Sequence, residues 1–317
     1  EKMYIKIKSL AEIEEQKLAG RFIAGGTDFV PLMKLGLKSP SMLIDVTNIP
    51  ELCGVSLSDK EISIGAAATL TEIAEDAAVL QYLPALAQSA EKTASLQIRN
   101  VGTIGGNLMQ DRRCIFFNQS ASWRSSLPKC FKAGGDVCLQ IRNSPFCRAI
   151  YYSDTATALV LYEAEAELLR EGRLERVPVT KLIAEHSTAN GLYAEESGPL
   201  LVRLHIPLPP EGEKSGFLKY SVRSSIDFPL VNFALRLSGG IRPAMAVAGA
   251  VAPAPLVLEK SSRQLDECSA DAEVWTEEAV KEIKAGGGLI RESVVPPKVK
   301  QMSYRMIGEL LRKLNAA

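Results

Sequence analysis

Arg21-Phe22-Ile23-Ala24-Gly25-Gly26-Thr27-Asp28-Phe29-Val30-Pro31-Leu32-Met33-Lys34 decides how the chain begins to fold. Residues 21–24 predict a short apolar strand that runs straight into a glycine pair. Thr27 and Asp28 are placed to cap a helix over 29–34, and Pro31 falls early enough in it to be tolerated. Met42-Leu43-Ile44-Asp45-Val46 predicts a second strand. Strand, helix and strand at this spacing predict a small parallel βαβ unit.

Outward from this unit, residues 61–66 alternate like a half-buried strand, and helices are predicted from 71 and over 84–94. The chain then reaches Gln97-Ile98-Arg99-Asn100-Val101-Gly102-Thr103-Ile104-Gly105-Gly106-Asn107-Leu108, with a second glycine pair. Glycine pairs let a ligand approach the backbone, and their amides can face one anion-binding concavity. A helix beginning just after adds its partial positive end. Thr27, Thr103 and Asn107 add short polar side chains for phosphate or ribityl oxygens. The bland alternative is that both pairs only make tight turns. Neither loop is G-x-G-x-x-G or G-x-x-x-x-G-K-[ST], which disfavours an ordinary Rossmann or P-loop enzyme. Two such loops in one domain suit a pyrophosphate bound between two subdomains.

Residues 111–150 break the rhythm of strands and helices. They carry Cys114, Cys130, Cys138 and Cys147, four of the six cysteines, within 34 residues. In a chain whose first residues show no secretion signal, such a group favours metal over disulfides. The gaps of 15, 7 and 8 residues lack the close pairs usual for zinc, without deciding between zinc and iron–sulfur. Seven basic residues (Arg112, Arg113, Arg124, Lys129, Lys132, Arg142, Arg148) face two acids (Asp111, Asp136), a local +5 that would stabilise an anionic cluster. Free thiols in a basic docking loop are a third reading. Cys53 and Cys268 stand alone and read as buried small apolar side chains. His186 and His205, the two histidines, read as surface or hydrogen-bonded core residues.

Ser153 or Asp154 is placed to cap a further helix, and residues 163–169 with Gly172 predict a meander edge. The proline- and charge-rich stretch 208–214 predicts a linker. Strands are predicted beyond it over 217–223, 231–237 and 244–251, with helices over 272–284 and 302–314. A length of 317 residues predicts two or three compact units. Acidic and basic residues balance at 37 each, which argues against a nucleic-acid binder. No apolar run approaches the ~18 residues of a membrane span, and a cytoplasmic address is the default expectation. No Ser-His-Asp or Cys-His constellation calls for covalent catalysis.

Ala24-Gly25-Gly26-Thr27-Asp28 with Pro31-Leu32-Met33-Lys34, Leu43-Ile44-Asp45-Val46 with Ile49-Pro50-Glu51-Leu52, and Ile98 through Leu108 together resemble the FAD-binding subunits of the xanthine dehydrogenase family of molybdenum hydroxylases. The resemblance continues through Ser153-Asp154-Thr155-Ala156-Thr157-Ala158-Leu159 to Tyr304-Arg305, nearly the whole chain. It implies an α+β fold: a two-subdomain FAD-binding domain of the PCMH type over 1–208, divided at 51/52, then a smaller α+β domain over 215–317 resembling the C-terminal domain of the CO dehydrogenase flavoprotein. It implies FAD held by Ala24, Gly25, Gly26, Thr27 and Asp28, by Thr103, Ile104, Gly105, Gly106 and Asn107, and by Asp154 and Lys219.

Most members of that family pass from the Gly-Gly-Asn loop to the Ser-Asp helix in a few residues. The insertion 111–150 resembles that of the flavin subunit of 4-hydroxybenzoyl-CoA reductase, which carries a [4Fe–4S] cluster on four cysteines; the matching positions are Cys114, Cys130, Cys138 and Cys147. The implied role is electron relay between a ferredoxin-like donor and partner subunits holding a [2Fe–2S] centre and the molybdenum cofactor. Lys129 and Lys132 would then belong to a landing site for an acidic ferredoxin. The alternatives are a flavin subunit passing electrons to NAD or a quinone, and a non-enzymatic scaffold with a zinc-stapled loop.

Overall fold

Parallel pairing organises the start of the chain. The computed structural model describes residues 3–15, 18–189, 198–223, 226–237, 240, 242–266, 271–288, 290 and 295–316. Strands β1 (Met3–Lys6), β2 (Arg21–Ile23) and β3 (Met42–Asp45) form a parallel sheet in the order β1-β3-β2, and the helix Phe29–Lys34 lies between β2 and β3 in sequence. Strand β1 is absent from the sequence-based expectation because it lacks apolar alternation: Met3 and Tyr4 are exposed. Tyr4 earns its place by donating its hydroxyl hydrogen to Asp45.

A second, antiparallel sheet holds β4 (Val55–Leu57), β5 (Glu61–Gly65), β6 (Glu165–Arg170), β7 (Arg173–Pro178) and β8 (Leu200–Pro207) in the order β4-β5-β8-β6-β7. The central strand β8 escapes sequence reading for the opposite reason to β1. It is covered on both faces, so Leu200-Leu201-Val202-Arg203-Leu204-His205-Ile206 reads as one run rather than an alternation. Strand β6, expected at an edge, sits between β8 and β7, and β7 is the edge. His205 is buried in this sheet, with Nδ1 2.8 Å from Glu61.

The third sheet is an antiparallel meander of β9 (Ser215–Tyr220), β10 (Val231–Arg236), β11 (Met245–Gly249) and β12 (Leu256–Val257). On one face Val231, Phe233 and Leu235 pack with Trp275 and Ile283 of the helix Ala272–Gly287 and Leu310 of the helix Ile307–Ala316. On the other, Phe217, Ala234 and Val247 join the core that the first two sheets share. The helix Asp154–Leu161 is buried at every residue, because it packs against β10 and β11 as well as the helix Pro84–Glu91. Ser153 caps it, its Oγ accepting from the Ala156 amide at 3.1 Å. Full burial of a side chain such as Leu159 contributes roughly 1.5–3 kcal/mol, and its apolar residues tie the third sheet to the common core.

Within 111–150 the described regular structure is limited to the short helix Ala121–Ser125 and the turn Phe131–Ala133. Phe117 anchors the segment by packing with Leu32 and Leu37, and Cys114 and Cys130 lie against the same cluster. Cys53 differs from expectation: it is exposed, its thiol 3.3 Å from the Ile49 carbonyl. Cys268 lies outside the described residues. Among those residues no helix is long and apolar enough to cross a membrane.

Candidate functional site

Strand β2 of the first sheet, strand β9 of the third and the loops around them enclose a cleft of about 300 Å³. Of the residues singled out in the sequence, Ala24, Gly25, Gly26, Thr27, Asp28, Thr103, Gly106, Asn107, Asp154 and Lys219 line it; Ile104 and Gly105 do not. Ile104 is in the core, and Gly105 packs against the Ala66 backbone, 2.7 Å from where its Cβ would sit. Sequence reasoning missed Arg21, Lys38, Arg113, Tyr152, Arg223 and Phe228, which also line the cleft. No local pattern marks them, since they arrive from widely separated parts of the chain.

The two glycine loops abut rather than face each other across open space. A Cβ on Gly25 would stand 2.0 Å from the Val101 carbonyl oxygen. Their amides are also used differently. In the second loop Ile104 donates to Ala68 and Gly105 to Ala66, both at 2.9 Å, Gly106 to Thr103 Oγ1 at 3.0 Å, and Asn107 to the Thr103 carbonyl at 2.8 Å. In the first loop no amide from residues 25–28 is engaged by another protein group among the described residues. Free anion-binding donors are therefore concentrated on the first loop, where Gly26 adopts a left-handed φ of 69°. Asn107 Oδ1 accepts from Ser153 Oγ and Thr155 Oγ1, both at 2.7 Å, which ties the second loop to the buried helix.

Asp28 does not cap the helix that follows it; its side chain makes no capping bond. Its carboxylate instead takes Arg113 at 2.5 Å and the Asp111 amide at 3.2 Å. At the other end of the cleft Lys219 Nζ donates to Asp154 Oδ2 at 2.8 Å and to the Lys92 carbonyl at 3.0 Å. Asn232 donates to Asp154 Oδ1 at 2.6 Å, and Thr157 donates to Asn232 Oδ1 at 2.8 Å. Burial pushes the Asp154 carboxyl up, while the Lys219 ammonium and the hydrogen bonds from Asn232 and Thr93 pull it back down. An ammonium so fixed is a rigid cation in the cleft wall. Arg21, set over the Phe29 ring at 5.4 Å, is a second one, its pKa lowered by burial.

Behind the cleft, His186 Nε2 lies 3.2 Å from the Gln110 carbonyl. Burial first, then Arg21 and Arg112, push its pKa down to about 4, against a weaker opposing pull from Gln110 and Asp111. The fold thus holds His186 neutral while the unfolded chain takes up a proton below about 6.5. Its contribution, at most about 3 kcal/mol, is complete above that pH and is lost as the pH falls toward 4. Urea titrations between pH 4 and 7 should show this slope in the wild type and a flatter one in His186→Gln; parallel curves would refute the assignment.

Cys114, Cys130, Cys138 and Cys147 line one common crevice with room for about 10 Å³, about one water. The Ala149 amide donates to Cys147 Sγ at 3.4 Å and Gln140 Nε2 to Cys114 Sγ at 3.8 Å. Burial pushes both thiols up; Arg112 and Lys132 pull Cys147 down. Among the described residues no three His, Cys, Asp or Glu side chains are grouped so as to hold a single metal ion. Lys132 is buried, paired with Asp111 at 2.6 Å and set over the Phe117 ring at 4.5 Å, so it is not part of a landing surface.

Residues 4–209 match a family model described as the FAD binding domain in molybdopterin dehydrogenase. The chain is 31% identical over 279 residues to the FAD-binding subunit of an aldehyde oxidoreductase from Escherichia coli K12, covering 83% of this chain and 86% of that one. It is 27% identical over 281 residues to the xanthine dehydrogenase FAD-binding subunit of Escherichia coli O157:H7, covering 87% and 80%. Its fold matches a chain of the reconstituted CO dehydrogenase from Oligotropha carboxidovorans with a TM-score of 0.75 at 22% identity, covering 100% of this chain and 98% of that one. The α+β architecture of the PCMH type expected from sequence is the one found.

Proposed function

We infer the function of this chain from its kinship: it belongs to the FAD-binding subunits of the xanthine dehydrogenase and CO dehydrogenase family of molybdenum hydroxylases, and it is an oxidoreductase subunit. The cleft suits that cofactor, with unengaged amides on one loop, a glycine where a side chain would collide with backbone, and fixed cations on its wall. FAD supplies the ability to exchange two electrons with one partner and pass them singly to iron–sulfur centres. The role assigned to residues 24–28 is to hold the pyrophosphate; that of Thr103, Asn107 and Lys219, steadied by Asp154, is to orient the rest of the cofactor. Residues 1–51 and 52–208 are assigned to the two halves of the FAD-binding domain, and 215–317 to the C-terminal domain. The partners assigned are a [2Fe–2S] subunit and a molybdenum-cofactor subunit, where the organic chemistry takes place.

The finer reading is a [4Fe–4S]-containing relay like that of 4-hydroxybenzoyl-CoA reductase, drawing on a low-potential, ferredoxin-like donor to remove a phenolic hydroxyl from an aromatic acyl-CoA on the partner. One observation carries it: the four cysteines of the insertion share one crevice with the buried cation Lys132, while buried Arg112 donates to the Cys147 carbonyl. A zinc ion bound at about 2.3 Å to each sulfur would need them clustered tightly, and they are not. Four irons spread their thiolates wider, one to each corner, and loading them requires this narrow crevice to open. Membership in an oxidoreductase family removes the non-enzymatic scaffold. The donor's landing face is reassigned to exposed Lys129 and Arg142, which exposed Trp123 and Phe146 flank in sequence.

An anaerobic count of iron, sulfide and flavin tests this reading. Roughly four irons and four sulfides per FAD are expected. Stoichiometric zinc without sulfide would overturn the cluster, and rapid bleaching of the flavin by NADH would favour the branch that exchanges electrons with NAD.

A further inference from the structure

The insertion is built into the cofactor cleft. Arg113 stands one residue before Cys114 and lines the cleft. It pairs with Asp28 at 2.5 Å, and its guanidinium lies 4.6 Å from the centroid of the Phe228 ring, which meets Tyr152 edge-on at 5.5 Å. The Asp111 amide holds the same Asp28 carboxylate. Leu32, in the helix that follows Asp28, and Leu37, just beyond it, pack with Phe117, against which Cys114 and Cys130 lie. The first glycine loop is thus gripped at its carboxylate and, through its helix, at its apolar face, both times by the segment that carries the cysteines.

We propose that the FAD cleft and the cysteine crevice form one cooperative binding unit, with Arg113 as the positioning residue that couples them. The inference rests on FAD occupying the cleft; it does not depend on what fills the crevice. A ligand on residues 24–28 fixes Asp28, Asp28 fixes Arg113, and Arg113 fixes the adjoining Cys114 and the Phe228 loop. Because linkage is reciprocal, a crevice held in order tightens the cleft by the same factor that a filled cleft orders the crevice. An insertion that merely hung from the second loop would show no such factor.

The experiment uses the full chain, stripped of FAD and with its thiols reduced. Iodoacetamide alkylation of Cys114 and Cys130 is followed by peptide mass spectrometry, with and without saturating FAD, and exposed Cys53 serves as the internal control. FAD is expected to slow alkylation of Cys114 and Cys130 by about 5–150-fold, the usual range of such couplings, and to leave Cys53 unchanged. At FAD concentrations that saturate the variant, Arg113→Gln should bring the protection to within about twofold of none, and by reciprocity it should weaken FAD binding by the coupling factor that is lost. If that variant does not fold, Phe228→Ala, at a half-exposed ring, should cut the protection at least in half. Equal protection in wild type and variant overturns the proposal, as does no protection in wild type although quenched flavin fluorescence shows FAD bound. Absence of any FAD binding would instead sink the assignment of the cleft.

Discussion

Replacing Gly25 by alanine is expected to strip the chain of FAD. The added methyl carbon would stand 2.0 Å from the Val101 carbonyl oxygen and 2.7 Å from its carbon. Both are backbone atoms of the second loop, so no side chain can swing away, and the two loops must part by more than an ångström. The unengaged amides of residues 25–28 move with the first loop and no longer meet the cofactor in register with Thr103 and Lys219. Misplacement on that scale costs on the order of 100-fold in positioning, and a comparable loss of FAD affinity is expected. Gly54→Ala provides the contrast. Gly54, unlike Gly25, has positive φ, at 71°, but a Cβ there meets nothing; about 1 kcal/mol of stability should go and FAD should stay. Fluorescence titration of the apoprotein reads both, and a Gly25→Ala protein that retains stoichiometric FAD would refute this account of the cleft.

That prediction depends on structure in a way the glycine motif alone does not convey. Local chemistry made β2, the helix Phe29–Lys34, β3 and the Ser153-capped helix legible, because each is specified within a few residues. Strands β1 and β8 were not legible, one too exposed and the other too buried to alternate. The glycine pairs looked alike in sequence, yet Gly25 and Gly105 both serve close backbone packing and the second loop's amides are spent internally. Asp28 has the residue type and position of a helix cap. Only a partner 85 residues away, Arg113, makes it something else. The four cysteines were legible as a group from their crowding; that Phe117 and Lys132 line the same crevice, one over the other, was not.

Lys219→Met should produce the second large effect, this time on stability. The Lys219 and Asp154 side chains keep only 7% and 3% of their exposure, and the pair is closed at 2.8 Å. Methionine fills nearly the same volume but leaves a buried carboxylate with only Asn232 and Thr93 as donors. Removing one member of such a pair typically costs about 3–5 kcal/mol, and a melting temperature lower by on the order of 10 °C follows for a chain of this size. The loss depends on pH with a definite sign. Without its ammonium, Asp154 in the fold holds its proton to a higher pH than in the unfolded chain, so the variant loses further stability as pH rises above the usual carboxylate range. The deficit should therefore be larger at pH 8 than at pH 5. Removing the charge from both partners, as in Asp154→Leu with Lys219→Met, leaves no uncompensated carboxylate and should be milder than Lys219→Met alone. Calorimetry at the two pH values checks the order of all three proteins. If the double variant proved the least stable, Asp154 would have to be holding the fold through Asn232 and Thr93 rather than through its ion pair.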